Sequence, residues 1–272
     1  MTFESCNLGF IGAGNMSRGI INGVLSAGLV APECVVVSDI DQSQRESLAA
    51  AHKIGVFYSN CEVASRADIL FLSIKPQVYH AVIAEIKDSV RPNAIVVILA
   101  AGESLVSVRA KFGAKDIKLV KVMPNLPAQV NAGMTAICAE DSCPEYAVAQ
   151  LLAIFNKIGK AEVIPEHLFD AFTAVAGSSP AYVFMMIEAM ADAGVKHGLS
   201  RSQAIEFSTQ AVLGAAMMVQ KAGQHPAMLR DSVCTPGGTT IDAVCELEKH
   251  GFRDAIIACV DACVQKYREL TS

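Results

Sequence analysis

The chain has no Trp, no run of Lys or Arg, and few charges of either sign, 18% of 272 residues with a net charge of −5. An acidic balance without a basic stretch argues against a nucleic-acid or anionic-membrane partner. Low charge at 52% hydrophobic residues excludes a disordered chain and leaves ample material for a core. Uninterrupted apolar runs such as Ile95–Ala101 fall far short of the ~20 residues that cross a bilayer, so no membrane span is expected. Met1 to Asn7 carry neither a basic region nor a leader-like apolar stretch. The nine cysteines contain no C-x-x-C pair, and Cys259 with Cys263 is the one i, i+4 couple. An odd, scattered set reads as reduced thiols, so a cytoplasmic protein without a metal is expected.

Short apolar runs alternate with amphipathic stretches through the first half. Asn7–Ile11, Cys34–Ser38, Ile69–Ile74, Ile95–Leu99, Lys118–Met123 and Met134–Cys138 read as strands. Asn15–Ala27, Asp41–His52 and Val78–Lys87 read as helices between them. Strands apolar on both faces and separated by helices predict an α/β domain with a mostly parallel, doubly wound sheet. Near Val163–Pro165 the composition shifts to Ala, Met, Leu, Glu and Gln. Helices are expected over Leu168–Ala176, Ala181–His197, Arg201–Ala222, Ala227–Val233, Thr240–His250 and Arg253–Leu270. A domain boundary therefore falls at 163/164, dividing residues 1–163 from an all-helical 164–272. The helices between 181 and 222 are apolar on more than one face, which predicts burial, partly against another subunit.

The strongest motif is Gly9-Phe10-Ile11-Gly12-Ala13-Gly14-Asn15-Met16-Ser17, directly after the first strand. In that setting Gly12 permits a tight turn and Gly14 a close approach of backbone amides to a pyrophosphate at a helix start. A glycine turn used only for packing is the bland alternative. Asp39, at the end of the second strand, has the position of an acidic residue that binds ribose hydroxyls and repels a 2′-phosphate; helix capping is its competing role, one that Asp41 can also fill. Ser73-Ile74-Lys75-Pro76 and Leu99-Ala100-Ala101 end strands at the same carboxyl edge. Pro124-Asn125-Leu126-Pro127 either faces a nicotinamide through Asn125 or merely ends a strand. Pro236-Gly237-Gly238-Thr239-Thr240 opens a helix with free amides suited to a carboxylate, unless Thr239 or Thr240 simply caps it.

Together these segments resemble the pyrroline-5-carboxylate reductase family, from Gly9 to about Leu270. The most specific portions are Phe10–Met16, Lys75-Pro76, Met123–Pro127, Gly177–Ile187 and Pro236–Ile241. The resemblance implies a Rossmann-type N-terminal domain and an all-helical C-terminal dimerisation domain, with dimers assembling into rings such as decamers. It implies that NAD(P)H is held by Ile11, Gly12, Ala13, Gly14, Asn15, Met16, Asp39, Asn60, Ser73, Ile74, Lys75, Pro76, Leu99, Ala100 and Ala101. Thr240 would bond the ring nitrogen of pyrroline-5-carboxylate, Gly237, Gly238 and Thr239 would hold its carboxylate, and Glu166 would stand near the reacting groups. The chain departs from the family pattern at Leu126 (usually Thr), Ala176 (usually Ser) and Asp39 (usually a small hydroxyl residue).

The implied reaction is hydride transfer to a C=N carbon, for which a neutral Thr240 hydroxyl suffices to orient the nitrogen. A β-hydroxyacid dehydrogenase, the main rival, resembles this chain at the glycine-serine loop but places a Lys about six residues after the glycine. Here that position is Val183, and no Lys occurs between Gly177 and Val195. A non-catalytic dinucleotide sensor would need the glycine turn but not the Pro236–Thr240 segment. Asp39 predicts that NADH serves at least as well as NADPH. Asn60, Ser38, Ser43 and Arg45 are the groups that would favour a 2′-phosphate if Asp39 turned outward.

Overall fold

The computed structural model describes residues 3, 6–99 and 102–271; Ala100 and Ala101 lie outside them. The strands are β1 (Leu8–Ile11), β2 (Val35–Ser38), β3 (Gly55–Phe57), β4 (Ile69–Leu72), β5 (Ile95–Ile98), β6 (Lys118–Pro124), β7 (Gly133–Ala139) and β8 (Gly159–Val163). They form one sheet in the order β3-β2-β1-β4-β5-β6-β7-β8. All neighbours are parallel except β6 and β7, which a 3-10 turn over Leu126–Val130 joins as an antiparallel pair. The helices of this region are α1 (Asn15–Ser26), α2 (Gln42–His52), α3 (Asn60–Arg66), α4 (Tyr79–Ile86), α5 (Leu105–Phe112) and α6 (Glu145–Phe155).

Residues alternate between the two faces of a strand, so each strand feeds two cores. Phe10, Phe71 and Val97 pack with α1 and α6 on one face, while Leu70, Leu72, Val96 and Ile98 pack with α4 and α5 on the other. Phe10 and Phe71 stack with ring centroids 4.6 Å apart, and Phe155 meets Phe71 edge-on at 6.3 Å. Each such side chain stabilises the fold by roughly 1.5–3 kcal/mol on burial.

After β8 every element is helical: α7 (Phe169–Phe172), α8 (Ser179–Lys196), α9 (Arg201–Ala222), α10 (Pro226–Val233), α11 (Thr239–Lys249) and α12 (Phe252–Thr271). The sheet thus ends where the composition shifts. The stretch expected as a plain helix over Leu168–Ala176 is instead a 3-10 turn, α7, and a π-turn over Thr173–Gly177. Contacts group the chain differently from composition, into Met1–Gly177 with Cys263–Ser272 and a second unit, Ser178–Ala262. Two bonds lie within the first unit: Asn125 donates to the Ala176 carbonyl at 2.8 Å, and Arg268 donates to Asp170 at 2.6 Å.

Two observations bear on the expectations for the helical region. The helices between 181 and 222 are not buried within the chain: Phe184, Met185, Leu213 and Met218 are all more than half exposed. And Glu166–Lys196 forms a 31-residue helical stretch long and apolar enough, by length and composition, to cross a membrane, with mean hydropathy 1.2. Counting uninterrupted apolar runs missed it because Ser, Pro and Gly interleave its apolar residues.

Candidate active site

The order of the sheet reverses between β1 and β4, and in open α/β sheets ligands bind outside the strand ends at such a switch point. The glycine turn lies there. Gly12 has φ +100°, and a Cβ on it would stand 2.2 Å from the Ser73 carbonyl oxygen at the end of β4, so no other residue fits. Ser73 N–H in turn donates to Ile11 O at 2.9 Å. Gly14 is the N-cap of α1; it supplies no side-chain cap, and a Cβ there would meet nothing within 4 Å. Uncapped first-turn amides beside open space fit a pyrophosphate.

The rest of the turn is tied from behind. Ser17, fully buried, donates its hydroxyl to Gly12 O at 2.6 Å, and Arg18 Nε donates to Ala13 O at 3.1 Å. Ala13 N–H donates to Asp39 Oδ2 at 2.7 Å, while Asp41 N–H donates to Asp39 Oδ1 at 2.8 Å. The Asp39 carboxylate therefore points at the turn and is held by two amides; capping of α2 falls to Asp41, through Ser43 and Gln44. The Ser43 hydroxyl, bonded to Asp41 at 2.7 Å, holds the Asp41 carboxyl below the usual range.

Ser38, Asn60 and Asn125 have partners within the fold. Ser38 is fully buried and donates to Asn60 Oδ1 at 2.8 Å, and Asn60 Nδ2 donates to Glu85 at 2.9 Å. Asn125 spends its oxygen on Met134 N–H at 2.9 Å and its nitrogen on Ala176, which makes it a tie between β7 and the π-turn. Lys75 and Pro76 are exposed at the end of β4. Sequence reasoning missed Tyr79. Its buried hydroxyl donates to Leu72 O at 2.6 Å and accepts from Leu99 N–H at 3.1 Å, locking together the ends of β4 and β5. A Tyr on the core face of an amphipathic helix is the available signal, since a buried phenol seeks partners.

Glu166 Oε1 accepts from Leu105 N–H, at the start of α5, at 3.0 Å and from Lys121 Nζ at 3.2 Å. Lys121 is 3% exposed, its ammonium 4.9 Å above the Phe169 ring. They open on a cavity of about 480 Å³ shared with His167, Asp170, Tyr267 and Arg268. Burial and the Glu166 and Asp170 carboxylates push the Tyr267 hydroxyl up to about 12.

In the second unit, Gly237 is left-handed at φ +66°, and Gly238 is the N-cap of α11 with no side-chain hydrogen bond. Neither Thr239 nor Thr240 caps this helix, contrary to the simpler reading of the doubled threonine; both already lie inside it. The first-turn amides and the Thr240 hydroxyl are left uncommitted to capping.

The family model described as pyrroline-5-carboxylate reductase dimerisation matches residues 166–270, and one described as NADP oxidoreductase, coenzyme F420-dependent, matches residues 7–102. The chain is 43% identical to the pyrroline-5-carboxylate reductase of Escherichia coli K12, over 97% of its own length and 98% of the relative's. It belongs to the pyrroline-5-carboxylate reductase family. A solved family structure from Coxiella burnetii superposes with a TM-score of 0.92 at 30% identity, covering 99% of this chain and all of that one. A second, from Plasmodium falciparum with NADP bound, has a TM-score of 0.89 at 29% identity and 99% coverage of both chains. Membership makes this fold a Rossmann-type domain followed by a helical dimerisation region.

Proposed function

We propose that the protein reduces L-1-pyrroline-5-carboxylate to L-proline with NAD(P)H, the last step of proline biosynthesis. The observation that carries this reading is that one chain of this family has both uncapped glycine turns, at Gly12–Gly14 and at Gly237–Gly238. A reduced nicotinamide held at the first turn would supply hydride. The hydride would add to C5 of the cyclic imine as the C=N π pair moves to nitrogen and a proton completes the amine. The amides of Gly238 and Thr239 would hold the substrate carboxylate, and Thr240 would orient the ring nitrogen. Residues 1–163 serve the dinucleotide and 164–272 the substrate and the dimer. The exposed apolar helices support a homodimer, assembled into a larger ring such as a decamer, and the scattered, odd cysteines suit the cytoplasm.

Asp39 supports NADH as a cofactor at least as good as NADPH. Two unit charges ~4 Å apart repel by about 4 kcal/mol at an effective dielectric of 20, before salt reduces it. Asp39 cannot swing away from a 2′-phosphate without losing both amides that hold it. The test is consumption of NADH and NADPH in parallel with pyrroline-5-carboxylate, in wild type and Asp39→Ser. No turnover by folded protein would favour a dinucleotide sensor; a preference for NADPH of about tenfold or more would overturn the reading of Asp39.

A further inference from the structure

The ends of β2 and β3 present two large apolar side chains to solvent, Ile40 at 87% and Tyr58 at 75% exposed. Beside Tyr58 stands Arg45, from the first turn of α2. Its guanidinium lies over the Tyr58 ring, 5.5 Å from the centroid, and one nitrogen donates to the main-chain carbonyl of Asp39 itself. A guanidinium over an aromatic face, with one nitrogen bonded to a carbonyl, keeps further N–H donors in a planar fork that suits a phosphate. Among the described residues it makes no ion pair. Asp41, whose carboxyl feels the Arg45 charge, is engaged in capping α2.

The competing candidates for a 2′-phosphate are neutral, and each already has a partner within the fold. The Ser38 hydroxyl is buried against Asn60, the Asn60 amide is shared between Ser38 and Glu85, and the Ser43 hydroxyl is bonded to Asp41. The group that keeps both free donors and the right charge is Arg45. It sits on the main chain of the very residue whose side chain opposes a phosphate.

We propose that Arg45 is the specificity residue that admits a 2′-phosphate beside Asp39, making the site one for both cofactors. Arg45 offsets the Asp39 charge there, and Ile40 with Tyr58 forms the apolar wall for the adenine. This inference rests on the dinucleotide reading above.

The experiment is calorimetric binding of NADP⁺ and NAD⁺ to the full chain, without substrate, in wild type, Arg45→Ala and Arg45→Lys. Losing charge-assisted hydrogen bonds should weaken NADP⁺ roughly ten- to a hundredfold in Arg45→Ala and NAD⁺ by less than about threefold. Arg45→Lys, which keeps the charge but not the planar fork, should fall between. Equal weakening of both nucleotides would reduce Arg45 to a stacking surface and overturn the proposal. So would unchanged NADP⁺ binding, or a wild type that binds NAD⁺ alone. A folded wild type that binds neither would overturn the dinucleotide reading itself, and this proposal with it.

Discussion

In the unit that carries the sheet, Phe10, Phe71, Phe155 and Phe169 are fully buried and both faces of the strands are covered. In Ser178–Ala262 the buried residues are Ala191, Ala204 and Ser208, while Phe184, Met185, Phe207 and Met218 face outward. The two regions are similarly rich in apolar residues and use them in opposite ways. The first closes its core with its own helices. The second has hardly any core of its own, and its apolar surface belongs to an interface, which agrees with the dimerisation model that matches this stretch.

The contrast is sharpest where each region is damaged. Phe71→Ala, in the stacked centre of the first core, should cost about 3–5 kcal/mol of unfolding free energy, equally at low and high protein concentration. Denaturant titration at two concentrations reads it, and a loss below about 1 kcal/mol would mean that this core is not what holds the sheet. Met185→Glu puts a charge on a side chain that is 70% exposed in the isolated chain. As a surface change it would do nothing; in a covered interface it should weaken association by about 2–4 kcal/mol. Sedimentation velocity distinguishes these, and an unchanged dimer removes α8 from the interface.

Thr240→Ala should lower turnover by about ten- to a hundredfold, the cost of one aimed hydrogen bond of roughly 1–3 kcal/mol, with dinucleotide binding unchanged. Steady-state kinetics beside nucleotide titration checks both halves; wild-type turnover would end the assignment of Thr240. The smallest effect belongs to Arg201→Ala, which breaks an ion pair with Asp192 whose partners are 54% and 61% exposed. Such a pair is worth less than about 1 kcal/mol. A larger loss in a thermal melt would mean that the pair is covered in the assembled protein, extending the interface to the α8–α9 end.

Legibility in the sequence follows burial. Strands such as Leu8–Ile11 and Ile95–Ile98, apolar on both faces, announce themselves, and so does Arg201–Ala222 with its Ser200 cap and Gly223 stop. β3 and β8 escaped because edge strands need only one covered face: Lys160 and Glu162 interrupt β8, and β3 is a three-residue piece. α3 spans only two turns, and in α5 the exposed Val106 blurs the polar face. The antiparallel step at β7 depends on a turn whose Asn131 adopts a left-handed φ of 56°, a conformation local composition does not specify. The glycine turns and Asp39 were readable as motifs. Their hydrogen bonds were not, since Asp39 meets Ala13 across twenty-six positions of chain.

That last contact constrains how cofactor preference can drift or be redesigned. The atom group that repels a 2′-phosphate is also the acceptor that anchors the phosphate-binding turn. A substitution that removes the carboxylate outright changes selectivity and loosens the turn together, so both nucleotides pay and the gain for NADPH is masked. Asparagine keeps an acceptor for Ala13 while discarding the charge. A route from one cofactor to the other therefore runs through Asp39→Asn, with smaller hydroxyl residues reached only after the turn has found another anchor.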